Sequence, residues 1–460
     1  MDRVLCVILS FLMLSTLTTT CVGAATRDEI AASTSRGLSW LASQQQPDGS
    51  WSPDYYPVAV TGQVLMKLEI HAILQGRSPF DPAYVYRVNV ENGLRYLLAN
   101  AYSQQIEIQV HDGSLDDPDM NGDGVGAYFH STIPDDHHSN YETSLALMAI
   151  VCTNAPGRTV DTGIFTGQTY RDVAANIIDF LAYGQVDGDS GRGGWTYEAI
   201  DNSGSSSDNS NSGFVTMALD YAQAPLATPP KLGGFGLSIP AFVKSELNIW
   251  IGYIQNTGQD VDGGLMPGVE ADGGSGYDSP DSWVNILKTG SMLQQMALVG
   301  DTVSTPRVQR AIAFLVRHWN DPDISLPPYQ GLAGWRGTGK SLYLTTFTVM
   351  LGLTALNLER IEGVDWYGDF ATAIVQQQEP QGSWPDFPEF EEAAPIPRTL
   401  TTAWALLTLE KASPHATLYS SAPVGGLSLP VNRLGLLTPY LVLLGLAAAL
   451  AVARSNRRNV

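Results

Sequence analysis

Apolar positions along this chain fall into two alternating textures. One is a run that opens on a hydroxyl and is then apolar or small at nearly every position. It occurs as Thr61–Leu68, Thr143–Ile150, Ser212–Leu219, Ser291–Leu298, Thr346–Leu353 and Thr402–Leu409. The other mixes charged and apolar residues, with apolar positions at helical spacing, over 27–46, 87–104, 169–184, 241–257, 304–319 and 364–378. Leu38, Leu41, Ile177, Phe180, Val308, Ile312 and Leu315 carry that stripe. A stripe predicts a helix with one solvent face, and an all-round apolar run predicts a helix buried on most sides. The runs begin 82, 69, 79, 55 and 56 residues apart, so each pair is one supersecondary unit with loops of varying length. Neither helix of a pair can bury its own face, so neighbouring pairs must supply the missing surface. The expectation is an all-α fold over residues 28–412: a six-repeat α/α toroid of twelve helices, six inside and six outside.

The connections within the pairs add a signature. Arg36, Gly37, Leu41, Gln45, Gly49 and Trp51 recur in part as Ile374, Gln378, Gly382, Ser383 and Trp384, with weaker echoes at Gly193-Gly194-Trp195 and Gly334-Trp335. This spacing resembles the QW motif of squalene–hopene and related triterpene cyclases. The chain is thus similar to the terpenoid cyclase and protein prenyltransferase toroid superfamily over nearly the whole of 28–412. That resemblance implies a structural role for the motif, with the Gln and Trp tying a helix end to its neighbour. It does not extend to the chemistry. The Asp-x-Asp-Asp proton donor of the triterpene cyclases and the Asp-Asp-x-x-Asp motif of other terpene synthases are absent from the sequence. Cys152 lacks the preceding Asp of the prenyltransferase zinc site.

The ends of the chain set an expected compartment. Arg3, the apolar run Val4–Leu17 and the small residues Val22 to Ala24 read as a signal peptide over 1–24. Leu434–Ala453 is uncharged and long enough to span a bilayer, and Arg454, Arg457 and Arg458 behind it belong on the cytoplasmic side. Residues 413–433 then form a stalk and 454–460 a basic tail, giving a single-pass protein of the cell membrane with its folded domain outside. A formal net charge of −21 argues against a nucleic-acid partner. With the signal removed Cys152 is the one cysteine left, so no disulfide forms within the domain.

Candidate chemistry lies in the loops. Asp117, Asp119, Asn121 and Asp123, followed by Gly124, alternate oxygen ligands as in the first half of a calcium loop, although the twelfth position is Tyr128 or His130 rather than Glu. Calcium is the one cofactor expected. His130 and Asp135 to His138 crowd imidazoles and carboxylates before an inner helix, where Asp also suits the helix dipole. Gly334 to Ser341 matches the phosphate-loop string, but two prolines precede it where a buried strand belongs, so no nucleotide site is expected. Arg336, Lys340 and Arg398 remain as basic residues near the starts of inner helices. The expected ligand site is the ring mouth, drawn from Asp136, His138, Glu142, Asp208, Asp281, Trp283, Lys340, Tyr343 and Arg398, with Tyr55 and Tyr56 as further stacking surfaces. Each of these residues also fits a plain role as a cap or rim residue. Two function classes follow. One is a surface module binding an extracellular small molecule or glycan; the other is a carbohydrate-active enzyme, a glycosidase or polysaccharide lyase, which would need paired carboxylates or calcium with a base. A prenyl-chain enzyme fits less well.

Overall fold

A computed structural model describes residues 23–111, 114–132, 138–199, 206–257, 272–321, 334–336, 343–386 and 396–416. Among them are twelve α-helices: α1 (Arg27–Ser43), α2 (Pro57–Leu74), α3 (Arg87–Ala99), α4 (Ser139–Cys152), α5 (Tyr170–Tyr183), α6 (Asn209–Gln223), α7 (Ala241–Ile254), α8 (Ile286–Leu298), α9 (Pro306–Arg317), α10 (Tyr343–Ala355), α11 (Trp366–Gln377) and α12 (Arg398–Leu409). The even-numbered helices pack in sequence, α2 on α4, α4 on α6, and so on to α12, which returns to α2 and closes the ring. The odd-numbered helices lie outside, each against an inner helix. Residues 1–22 and 417–460, with the expected span at 434–453, lie outside the described residues, as do Asp136 and Lys340.

The two textures seen in the sequence separate as expected. On α2 nearly every residue from Pro57 to Ile73 is buried, whereas α9 buries only Val308, Ala311, Phe314 and Leu315. Helix α2 is long and apolar enough to cross a membrane, yet 83% of it is covered inside the ring. The ring closes through specific bonds between first and last repeats. Ser33 Oγ donates to Gln378 Oε1 at 2.8 Å, and Gln378 Nε2 donates to Ser33 O at 2.8 Å. Trp404 Nε1 donates to Gln63 Oε1 at 3.2 Å across the α12–α2 seam.

The Gln–Trp signature acts as one clamp used repeatedly. Gln45 Nε2 reaches Gly49 O and Asn89 O, both at 2.9 Å. Gln185 reaches Gly193 O and Val243 O, Gln255 reaches Gly273 O and Arg307 O, and Gln378 reaches Gly382 O and Ser33 O, all at 2.8–3.0 Å. Each amide therefore holds its own loop and the start of the next outer helix. The glycine is required: Gly49 and Gly382 have φ of 98° and 103°, and a Cβ there would press on Asn92 O and Arg36 O. The Trp51, Trp195 and Trp384 indoles are fully buried and donate to Leu41 O, Leu181 O and Ile374 O at 2.7–2.8 Å. Burial plus a satisfied N–H makes each worth about 3 kcal/mol or more against Ala.

The opening hydroxyl of the inner run also has a defined task. It accepts the loop amide that follows the clamp: Thr61 from Trp51 N, Thr143 from Phe129 N, Ser212 from Trp195 N and Thr402 from Trp384 N, at 2.9–3.1 Å. In the fourth repeat the expected register is corrected by two residues. Thr289, not Ser291, takes the amide, from Ser275 N at 3.0 Å. Thr346 in the fifth repeat instead donates to Tyr343 O at 2.9 Å.

The all-α expectation needs one further correction. The chain between α3 and α4 forms four short strands: β1 (Ala101–Gln105), β2 (Gln109–His111), β3 (Ser114–Asp116) and β4 (Val125–Phe129). β1 pairs antiparallel with β4, Ala101 opposite Phe129, and β2 pairs antiparallel with β3. Helix α3 stops at Ala99 and the chain turns into β1, beyond which Ile106, Ile108 and Val110 alternate with polar residues into β2. The strand β4 packs against the outer helix α5 and, where Phe129 N donates to Thr143 Oγ1, against the inner helix α4.

Candidate functional site

Inner helices meet at matching depths, as in the Thr216 Oγ1–Gln294 Oε1 contact of 3.2 Å between α6 and α8, so their N-terminal ends share one face. Four of those ends carry aromatic rings. Tyr56 is the N-cap residue of α2 with φ of 39°, His138 is that of α4, Tyr141 lies in the first turn of α4, and Tyr197, Tyr277 and Trp283 sit in the loops before α6 and α8. They make a continuous run. Tyr55 meets Tyr56 edge-on at 5.0 Å, Tyr56 meets His138 at 4.9 Å, and His138 meets Tyr197 at 4.5 Å between ring centroids. Tyr197 and Tyr277 are joined by a hydrogen bond between their hydroxyls at 2.8 Å, and Tyr277 lies 5.7 Å from Trp283. Trp283 is 36% exposed with φ of 48°, a strained conformation that holds the indole at the surface.

Beneath the run lies Lys288, in the first turn of α8 and buried. Its Nζ donates to Trp283 O at 3.1 Å and sits 5.5 Å and 5.7 Å from the Tyr277 and Trp283 ring centroids. It forms no ion pair among the described residues. Burial pushes its amine down to about 7, with Asp208 and Asp278 opposing. An ammonium has three donors, and one is used here.

The residues expected at the mouth fall into distinct places. His138 and Trp283 belong to the aromatic run, and Asp281 lies near it, accepting from Ser279 Oγ at 3.0 Å. Asp208 is buried as the N-cap of α6, accepting from Ser210 N and Asn211 N, both at 2.8 Å. Burial raises its carboxyl, against the Ser210 and Asn211 hydrogen bonds. Glu142 is turned inward, accepting from Ser131 N at 2.9 Å, and Ser131 Oγ in turn accepts from Val58 N at 3.0 Å. It is a brace between α4 and α2, not a rim carboxylate. Tyr343 is buried and donates to Gln377 Oε1 at 2.7 Å, a tie between α10 and α11. Arg398 pairs with Glu379 and, at 3.3 Å, with Asp386, bracing the last clamp loop. Lys288, Tyr141, Tyr197 and Tyr277 were not singled out from the sequence.

At the other face, Glu410 takes both Lys67 and His71 across the α2–α12 seam. Burial opposes its ionisation, yet Lys67 and His71 hold the carboxyl down to about 2. A small, half-open cleft lies near it, lined by Asn357, Leu358, Trp366, Lys411 and His415. On the outer ring, the acidic loop rests against α5. Asp119 accepts from Gly122 N and Gly124 N at 2.8 and 2.7 Å, and Asp179 of α5 accepts from Met120 N at 3.1 Å. Burial raises the Asp179 carboxyl to about 7, and Asp119, Asp123 and Asp117 add to it against the Met120 amide. Among the described residues no three His, Cys, Asp or Glu side chains converge as a ready metal site.

No protein-family model matches the chain, and no curated protein matches it in sequence. Solved structures similar to it include a type II terpene cyclase from Scytonema, at 13% identity over 85% of this chain and 99% of that one, with a TM-score of 0.45. An inactive variant of an α-1,6-mannanase of Salegentibacter in complex with α-1,6-mannotriose is similar at 10% identity, over 83% and 99%, with a TM-score of 0.49. An α-mannanase from Bacteroides thetaiotaomicron is similar at 11% identity, over 83% and 95%, with a TM-score of 0.47.

Proposed function

We propose that this chain is an exported, membrane-tethered α/α toroid whose ring mouth binds an extracellular glycan without transforming it. The observation that carries the reading is the aromatic run from Tyr55 to Trp283, floored by Lys288. A sugar ring presents an apolar C–H face and a rim of hydroxyls, and aromatic faces interleaved with phenol and amine groups match both. Lys288 supports a site for a further reason. A buried amine without an ion pair costs stability, and such groups concentrate where a ligand is handled. Hydrolysis would need two carboxylates facing one bond. Asp208 and Glu142 are instead turned to capping and bracing, which favours binding. Export and tethering rest on Val4–Leu17 and on Leu434–Ala453 with its trailing arginines.

A lyase is the second reading, and one observation favours it. An amine at about 7, with its Nζ 5.5 Å from the Tyr277 ring, is suited to take a proton at neutral pH. An oligosaccharide screen separates the two. Retention on immobilised protein without new reducing or unsaturated ends is the expected result, release of either end establishes an enzyme, and no retention of any glycan refutes both. Prenyl diphosphates and squalene should be returned unchanged. Cell fractionation should place the chain in the membrane, with truncation after residue 416 releasing it to the medium.

A further inference from the structure

We propose that the acidic loop between β3 and β4 is a calcium site completed by Asp179 of the outer helix α5. The loop by itself reads as half a calcium loop, with oxygen residues at alternate positions and no carboxylate at the twelfth. The fold supplies what the local sequence lacks. Asp179 is fully buried, one of its oxygens takes the Met120 amide at 3.1 Å, and the other has no partner. Its carboxyl is thereby held against the middle of the loop, 59 residues away in sequence. A buried carboxylate oxygen left without a donor is costly, and a cation would satisfy it.

The loop's own bonds set its frame. Asp119 Oδ2 closes onto Gly124 N at 2.7 Å, and Gly124 has φ of 73°. Asp119, Asn121 and Asp123 are then the first, third and fifth positions, with the turn glycine at the sixth. Asn176, one helical turn before Asp179, accepts from Asn121 Nδ2 at 2.6 Å and reaches Asp123 Oδ2 at 3.4 Å, so the helix orients both loop side chains. Each of these oxygens accepts at most a single hydrogen bond here and keeps a second lone pair for an ion. The carboxylates do not meet at one point in this arrangement, being turned to the loop's amides. Asp117 and Asp123 are exposed, and to reach an ion their side chains would have to turn from the Asp119 and Val125 amides they now accept from.

Charge points the same way. Asp117, Asp119, Asp123 and Asp179 form no ion pair with Lys, Arg or His among the described residues. An all-oxygen donor set suits calcium, whereas magnesium demands a tighter octahedron and zinc prefers nitrogen and sulfur. Bound there, the ion would pin the stranded insert to the outer ring.

The test uses the full-length protein, stripped with chelator and titrated with calcium chloride by calorimetry and by thermal melting. One ion should bind, and calcium should raise the melting temperature while magnesium at equal concentration raises it less. Asp179→Asn should weaken calcium binding by about tenfold or more, while melting in chelator no lower than the unaltered protein, since it removes a buried charge. Asp123→Asn, at the exposed end of the loop, should weaken binding similarly and decides the matter if Asp179→Asn does not fold. No binding at millimolar calcium, or either folded variant binding like the unaltered protein, overturns the proposal.

Discussion

Replacing Gln185 with Met tests whether the Gln–Trp signature is an inter-repeat clamp. Met fills nearly the same space but offers no donor. Gln185 is fully buried, and its amide bridges Gly193 O at 2.9 Å and Val243 O at 3.0 Å. Val243 lies within α7 and keeps its helical amide, so its loss is about 0.5–1 kcal/mol. Gly193 O would be left buried with no donor, at about 1–3 kcal/mol. Against this, the Gln185 carbonyl oxygen already lacks a partner, and removing it returns about 1 kcal/mol. The net expectation is a loss of roughly 2 kcal/mol. Unfolding entropy near 2.1 cal/mol/K per residue, over about 385 residues, turns that into a Tm fall of only about 2–3 °C. Urea titration at fixed m is therefore the better assay, with the exposed Gln75→Met as control. Gln255→Met and Gln378→Met should cost more than Gln185→Met, because Gln255 Oε1 accepts from Arg310 at 3.3 Å and Gln378 Oε1 from Ser33 Oγ at 2.8 Å. Gln45→Met should cost more, since Gln45 Oε1 also accepts from Asn89 Nδ2 at 2.9 Å. A Gln185→Met chain as stable as the unaltered one would refute the clamp as an energetic device.

Three further outcomes are expected. Lys288→Met should stabilise the fold, by an amount of order a few kcal/mol below pH 7, because the native ammonium must there be buried. The unfolded chain holds that proton up to about pH 10, so the gain should shrink as pH rises from 7, and a flat difference across pH would count against the burial argument. His318 accepts the influence of Asp272 first and Asp321 next, against burial, so its folded pKa is raised. Its contribution is whole below about pH 6.5 and is lost as pH climbs through the raised value; melting between about pH 6 and 8.5 should therefore fall less steeply in His318→Gln. Trp283→Ala should weaken glycan retention by roughly tenfold or more with little change in melting, because the indole is partly exposed; equal retention would move the site away from the aromatic run.

The ring was legible because its repeat is written in residues that most copies share. A buried inner helix must be apolar all round, its loop must turn on a glycine, and the loop amide must find a hydroxyl. Those demands left Thr61, Thr143, Ser212 and Thr402 visible as a series. What broke the series was insertion. Residues 256–272 separate Gln255 from Gly273, so the fourth clamp has the same bonds as the first without the same spacing. The strands between α3 and α4 were hidden for a related reason: among the described residues they interrupt a helical repeat at one point and do not recur. The partners Asp179 and Asn176 could not be read from the loop, since a helix brings them in across some sixty residues of chain.

Lys288 shows how a two-residue error of register conceals a site. Placed by Ser291, Lys288 stands three residues ahead of the run, where a lysine looks like an ordinary exposed helix start. Placed by Thr289, it stands immediately before the hydroxyl, at the position held by Glu142, Asn211 and Thr401 in other repeats. All are buried, and each turns back on its own repeat: Glu142 to Ser131, Asn211 to Asp208, Thr401 to Arg398 O. That position is thus where a repeat braces its mouth, and three of the repeats fill it with a hydrogen-bonding group other than a cation. In the fourth the brace is a cation that reaches one carbonyl and otherwise faces aromatic rings. The ring does not need a cation there, because Val60, Glu142, Asn211, Thr345 and Thr401 hold that position in the other repeats. A side chain that the fold tolerates at a cost, set in the floor of the aromatic run, is where selection for a ligand leaves its mark.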